Sequence, residues 1–173
     1  MRTVFALFLV LITFGLTFAD ENLPNLQQPC YKIFTAGQPT EAGFKQAAEM
    51  GIKTVINVLP EKECVTGEEQ MVTKNNMVYH ALPFSTVDFK MSTVHDFASL
   101  MKTVDRPALI HCSTGNHVGG LWFAYRVLVE KAPLPLALIE GRQIGMKPEL
   151  EDALFTWVIN QQQSGNVEPA TGK

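Results

Sequence analysis

The sequence predicts an α/β fold, a three-layer sandwich in which helices flank a short, mainly parallel central sheet. Three observations carry this expectation. Short apolar or β-branched runs, such as residues 53–59 and 77–82, alternate with segments of helical periodicity. No repeat or second domain interrupts that alternation, which is the pattern of crossover units around a parallel sheet. The run Ala108-Leu109-Ile110 leads directly into His111-Cys112-Ser113-Thr114-Gly115-Asn116-His117-Val118-Gly119-Gly120, and then into an apolar, helix-forming stretch over residues 121–131. A strand, a glycine-containing loop and a helix in that order put a loop at the carboxyl end of a central strand, where such sheets bind ligands.

The chain opens with a signal peptide over residues 1–19. Arg2 supplies the positive start, residues 4–18 the apolar stretch, and Thr17-Phe18-Ala19 the small-residue cleavage site. That stretch is shorter than the roughly 20 residues of a membrane-spanning helix. The expectation is a periplasmic or secreted protein with no membrane span after signal removal. Residues 20–29 are polar, contain Pro24 and Pro29, and read as a flexible leader. The domain itself is expected over residues 30–163 and a frayed tail over residues 164–173.

Within the domain, residues 31–36 form a candidate strand, ended by Gly37-Gln38-Pro39 as a turn. Thr40 caps a helix through Met50, with Phe44, Ala47 and Ala48 on one face and Gly51 as its stop. The strand over residues 53–59 closes on Pro60, and the one over residues 77–82 closes on Pro83. Between them a polar segment holds a short helix over residues 68–74. Residues 84–90 form a loop, after which Ser92 or Thr93 caps a helix. That helix carries Val94, Phe97, Leu100, Met101 and Val104 at helical spacing. Pro133 and Pro135 mark a turn and a new helix start, and residues 136–144 and 148–161 form two last helices separated by Gly145.

Without Arg2, the 14 Lys plus Arg of the chain face its 17 Asp plus Glu with a net charge of about −4. No basic cluster is present, so nucleic acid is not an expected partner. Any affinity for phosphate has to be local to a pocket. His80, His95, His111 and His117 show no metal-ligand spacing, and neither a metal nor a cofactor is expected. Cys30, Cys64 and Cys112 are an odd number of cysteines for an exported chain. With Cys112 as the working thiol, Cys30 and Cys64 either pair as a disulfide or stay free.

Chemistry is expected at the loop that starts with His111. Unpaired amides at a helix N-terminus and the positive end of the helix dipole point the same way and bind anions. A cysteine beginning such a loop is biased toward thiolate, its nucleophilic form. The stretch His111-Cys112-Ser113-Thr114-Gly115 resembles the signature of the cysteine-dependent protein phosphatases of the compact dual-specificity type. The likeness extends upstream through Ala36-Gly37-Gln38-Pro39 and residues 50–58, and downstream through Arg142-Gln143-Ile144-Gly145-Met146-Lys147-Pro148. It is nearest to the bacterial β-lactamase hydrolase-like, phosphatase-like domains, whose loop reads Cys-x-x-Gly-Asn-Arg-Val-Gly. Here His117 stands where that group has its arginine, and Val118 where the wider family has it. Gly119 stands where a Ser or Thr often helps the thiolate depart.

The resemblance implies a phosphatase-like fold and hydrolysis of phosphotyrosine or other aryl phosphomonoesters. The expected partner is a phosphorylated protein or a small aryl phosphate. Cys112 would attack phosphorus and form a cysteinyl-phosphate. Ser113, Thr114, Gly115, Asn116, His117 and Val118 would cradle the phosphoryl group, with His111 organising the loop. Asp88, 24 residues before Cys112 on the loop after a strand, would be the general acid, with Asp96 as the runner-up. His117 offers charge only as imidazolium, whose ordinary pKa is about 6.5, so activity is expected to favour mildly acidic pH. Arg142 would supply the charge that His117 lacks if it reaches the pocket. Two further readings stay open: a rhodanese-like sulfurtransferase holding a persulfide on Cys112, and a phosphate-binding module without turnover.

Overall fold

The computed structural model describes residues 21–165. Residues 1–19, read from the sequence as a signal peptide, and the residues beyond Gly165, read as part of a tail, lie outside the described residues. One sheet contains β1 (Gln27–Cys30), β2 (Ile33–Ala36), β3 (Thr54–Asn57), β4 (Val78–Ala81) and β5 (Ala108–His111), in the spatial order β1-β2-β5-β3-β4. Strands β2, β5, β3 and β4 are parallel, and β1 adds an antiparallel edge beside β2. The helices are α1 (Glu41–Glu49), α2 (Glu68–Lys74), α3 (Met91–Thr103), α4 (Asn116–Leu128), α5 (Leu134–Ile144) and α6 (Pro148–Gly165). A 3₁₀ turn at Glu61–Glu63 precedes α2. The three-layer α/β sandwich read from the sequence is the architecture observed.

Successive strand residues face opposite sides of the sheet, and the core divides accordingly. Ile33, Ile56, Ala108 and Ile110 face a large cluster that includes Phe97 of α3, Leu121 and Phe123 of α4, and Leu154 of α6. Val55 and Leu109 face a smaller cluster with Phe44 and Ala47 of α1 and Val72 of α2. Central β5 is buried at all its residues, which is why it reads as an unbroken apolar run. The alternation carries on past Ile110. His111 meets the ring of Phe44 on the smaller side, and Cys112 joins the larger cluster.

The structure departs from the sequence reading at several places. Residues 21–30 are part of the fold rather than a flexible leader. Leu23 is fully buried, Pro24 O accepts from Gly37 N at 2.7 Å, and β1 pairs with β2. One large apolar side chain and a set of backbone bonds hold the segment, and its polar composition hides both. Helix α4 begins at Asn116, five residues ahead of the expected start, because Gly119 and Gly120 serve helix packing and not a loop. A Cβ on Gly119 would lie 2.5 Å from Gly141 O, and one on Gly120 2.7 Å from the Leu154 side chain. Lys90 is the N-cap residue of α3 and makes no side-chain capping bond, so neither Ser92 nor Thr93 caps that helix. Ser164 and Gly165 belong to the last turn of α6 and not to a tail.

Cys30, Cys64 and Cys112 are all free thiols, so Cys30 and Cys64 form no disulfide. Cys30 lies opposite Ile33, where β2 begins. Cys64 follows the other end of the sheet, with its thiol against the carbonyl oxygens of Leu59 and Pro60. A four-residue strand separates their levels by roughly 13 Å, beyond the roughly 7 Å Cα separation that a disulfide tolerates.

Candidate active site

The loop joining β5 to α4 lies at the carboxyl end of the central strand. Gly115 is the N-cap of α4 and adopts a left-handed conformation, φ +92°, that glycine accepts without penalty. Ile144 O and the Asn25 side chain pack where its Cβ would stand, so the position demands glycine twice over. The turn points backbone N–H groups inward. Gly115 N donates to Cys112 Sγ at 3.2 Å. The loop carbonyls point outward and find other donors. Gln38 N reaches Ser113 O at 3.1 Å, and the Asn25 side-chain amide reaches Thr114 O at 3.3 Å and Ile144 O at 2.7 Å. Asn116 Oδ1 accepts from Lys147 N at 2.8 Å. The segment before β1 and the turn after α5 thus grip the loop from outside and keep its donors facing in.

His117, in the first turn of α4, directs its imidazole at the Cys112 sulfur. Burial pushes the Cys112 thiol up, but the hydrogen bond from His117 and those from the Val118, Thr114 and Gly115 amides outweigh it. The net shift is downward, toward thiolate. The buried Nδ1 of His117 has no hydrogen-bond partner of ordinary geometry among the described residues. Its ring packs edge-on against Phe84, centroids 5.6 Å apart, and the aromatic contacts continue through Phe89 to Trp157 of α6. His117 lines a cleft of about 560 Å³ with residues 60–63 on one wall and 83–87 on the other. Cys112 is fully buried, so the imidazole rather than the sulfur meets the cleft.

Beneath the loop lies a buried polar network. Glu68, the first residue of α2, is 2 % exposed. Its carboxylate accepts from Asn57 Nδ2 at 2.6 Å and from Gln38 Nε2 at 2.7 Å, and it lies 3.2 Å from His111 Nε2. Burial pushes the Glu68 carboxyl up, but the contacts with His111, Gln38 and Asn57 together bring it below its ordinary value. Asn57 also accepts from Leu59 N at 2.8 Å and reaches the Tyr79 hydroxyl at 3.2 Å. Tyr79 is pushed up to about 12, first by burial and then by the Glu68 charge, and stays a neutral phenol.

No protein-family model matches the chain, and no curated protein matches it. Solved structures do. The catalytic core of the PP-IP phosphatase Siw14 from S. cerevisiae superposes with a TM-score of 0.65 at 16% identity, covering 85% of this chain and 96% of that one. A DUF442 protein from Shewanella putrefaciens, described as a candidate phosphatase, gives 0.64 at 22% identity, over 80% of this chain and 93% of that one. TpbA of P. aeruginosa, solved as a cysteine-to-serine variant in complex with pTyr, gives 0.56 at 15% identity, over 80% and 90%. This is the fold of the cysteine-dependent phosphatases. The loop of Cys112 sits between strand β5 and helix α4, as the order of apolar run, glycine-containing loop and helix-forming stretch in the sequence predicts.

The fold brings Cys112, residues 113–118 and His111 together, but it leaves two other expected site residues apart. Asp88 lies on the loop after β4 with its side chain 70% exposed, 2.7 Å from Lys90 Nζ, and it is not among the residues lining the cleft. Asp96, on α3, is exposed. Arg142 is exposed on α5, where Glu151 holds its guanidinium through two hydrogen bonds, one of them from Nε at 2.6 Å. Among the described residues, no group of three or more His, Cys, Asp or Glu could hold a metal ion. Glu68, Gln38, Asn57 and Asn25 were not singled out by sequence reasoning. For Glu68 one signal exists: it lies four residues before Val72, so both fall on the inward face of α2.

Proposed function

We propose that this protein is an exported cysteine-dependent phosphatase that hydrolyses phosphotyrosine or other aryl phosphomonoesters through a cysteinyl-phosphate intermediate. The observation that carries the reading is a buried sulfur at the start of α4 that accepts from Gly115 N at 3.2 Å, with His117 in the first turn of the same helix and the thiol drawn toward thiolate. A phosphoryl group arriving from the cleft meets the loop amides as donors to its oxygens. The imidazole of His117 turns from the sulfur to a phosphoryl oxygen and supplies the charge that an arginine would otherwise bring. Sγ attacks phosphorus as the ester P–O bond breaks, and the leaving aryl oxygen takes the bonding pair as a phenolate that then picks up a proton from water. Water then attacks the cysteinyl-phosphate, the P–S bond breaks, and inorganic phosphate and the thiolate are regenerated.

The cleft favours aryl over alkyl esters. With Asp88 outside it, the leaving group has to depart with little protonic help. A phenol, whose pKa is about 10, does so far more readily than an aliphatic alcohol. Pro60, Pro83, Phe84 and Val87 offer apolar surface to an aromatic ring, while Glu61 and Glu63 outnumber Lys62 on the facing wall and disfavour polyphosphorylated substrates. The thiolate is lost as pH falls through the lowered Cys112 pKa, which sets the acid limit of activity, and the proposed preference for mildly acidic pH rests on the general chemistry of imidazole as a cationic donor. The charged, apolar and small-residue pattern of residues 1–19 supports export to the periplasm or beyond.

Hydrolysis of p-nitrophenyl phosphate from mildly acidic to alkaline pH tests this reading. Cys112→Ser abolishes turnover, and His117→Arg retains or gains activity at neutral pH. Wild-type activity that climbs steadily to alkaline pH, or that survives Cys112→Ser, would sink the proposal. The placement of Asp88 favours one second reading, a phosphate-binding module. It predicts phosphate binding with no release of p-nitrophenol.

A further inference from the structure

We infer that Glu68 is a positioning residue for the phosphate loop: its buried carboxylate ties the ends of β3 and β5 to the turn after β2 and so sets where the loop amides point. Three routes run from it. His111, whose Nε2 lies 3.2 Å from the carboxylate, is the residue immediately before Cys112. Gln38 donates to Glu68 through its side chain at 2.7 Å and to Ser113 O through its backbone at 3.1 Å, so one residue links the carboxylate to a loop carbonyl. Asn57 donates to Glu68 at 2.6 Å and accepts from Leu59 N at 2.8 Å, at the entry to the cleft wall that starts with Pro60. The inference rests on the proposed use of Cys112 and assigns the residue that holds its cradle in shape.

Carboxylate chemistry is needed at this spot. Hydrogen-bond donors come from Asn57 and Gln38, His111 Nε2 stands 3.2 Å away outside hydrogen-bonding geometry, and only an ionised carboxylate offers two oxygens that accept from both sides. Glutamine has the same shape, but its NH₂ would face one of those donors. At 2 % exposure a charge is costly unless its partners are all in place, which makes the network sensitive to a change of a single atom.

The sign of one measurement separates positioning from simple charge. Removing a nearby negative charge would by itself move the Cys112 thiol downward. Loosening the loop would take amide donors off the sulfur and move it upward. The experiment follows iodoacetamide alkylation of the Cys112 peptide against pH by mass spectrometry, together with orthovanadate affinity, in the full chain. Glu68→Gln is expected to move the alkylation midpoint upward and to weaken vanadate binding by about tenfold, the scale of one lost hydrogen bond to a charged group. Glu68→Asp restores part of both, and Glu69→Gln, an exposed neighbour on the same helix turn, changes neither. Gln38→Met, at a half-buried position, keeps the backbone bond to Ser113 O but removes the side-chain donor to Glu68, so the carboxylate no longer steers that turn, and it moves both readouts in the same direction as Glu68→Gln. A folded Glu68→Gln protein with an unchanged or lowered midpoint overturns the inference. If Glu68→Gln does not fold, Gln38→Met decides alone: a wild-type profile overturns the inference and an upward shift supports it. Alkylation needs no turnover, so a wild type that hydrolyses no aryl phosphate would refute the phosphatase reading and leave this test intact.

Discussion

Glu68 begins α2 beneath the phosphate loop, 2 % exposed, with side chains of three other elements converging on its carboxylate. Asp88 lies on the loop after β4, its side chain 70% exposed and paired with a lysine two residues away. Both are carboxylates near the carboxyl end of a strand, and their surroundings give them different work. Water screens Asp88, so its ion pair with Lys90 is worth little and leaves the side chain free to move. Glu68 is out of water, and its charge is offset by donors from Asn57 and Gln38 with His111 Nε2 3.2 Å away. A group held from several sides can hold other groups in return.

The largest way to break this contrast is to delete each side chain in turn. Glu68→Ala leaves Asn57, Gln38 and His111 facing a void and is expected to cost about 3–5 kcal/mol in urea or thermal unfolding. An effect as small as that of a surface substitution would show that the network is incidental. A subtler test lowers the pH. The folded-state pKa of Glu68 is depressed, so its contribution to stability is present above the unfolded carboxyl pKa and is lost as pH falls through the folded value. Thermal unfolding should therefore show a stability loss on acidification that Glu68→Gln flattens and Asp88→Asn leaves in place. The smallest effect belongs to Asp88→Ala, expected to change stability by less than about 0.5 kcal/mol. Its kcat on an aryl phosphate should fall far less than the 10²–10⁴-fold, roughly, that a working general acid contributes. A loss in that range would show that the loop carries Asp88 into the cleft during turnover.

What could be read in advance depended on how local its cause was. The Thr40 cap was legible because the side chain reaches Gly43 N three residues on, at 3.0 Å. Strand β5 was legible because neighbours on both sides bury all of it. The bounds of α2 followed from its polar flanks, but the burial of its first residue did not. The start of α4 was hidden by Gly119 and Gly120, which look like loop residues until α5 and α6 are packed against them. The same closeness accounts for Gly119 at the place where the resemblance expects a hydroxyl, since a Cβ there would meet Gly141 O at 2.5 Å. Arg142 looked available to the pocket, and its partner Glu151 lies on the next helix.

Local order and the place of the candidate thiol were legible in the chain alone. Periodicity, prolines and glycines set the alternation of strands and helices, and a cysteine between a strand and a helix N-terminus is drawn toward thiolate wherever those amides go. Packing decided the rest: which carboxylate is buried and which segment holds the loop from outside. Those outcomes depend on residues 30 to 119 positions apart in the chain, such as Gln38 with Glu68 and Asn25 with Ile144. Burial and donor convergence exist only once such residues meet, so no short stretch of sequence carries them.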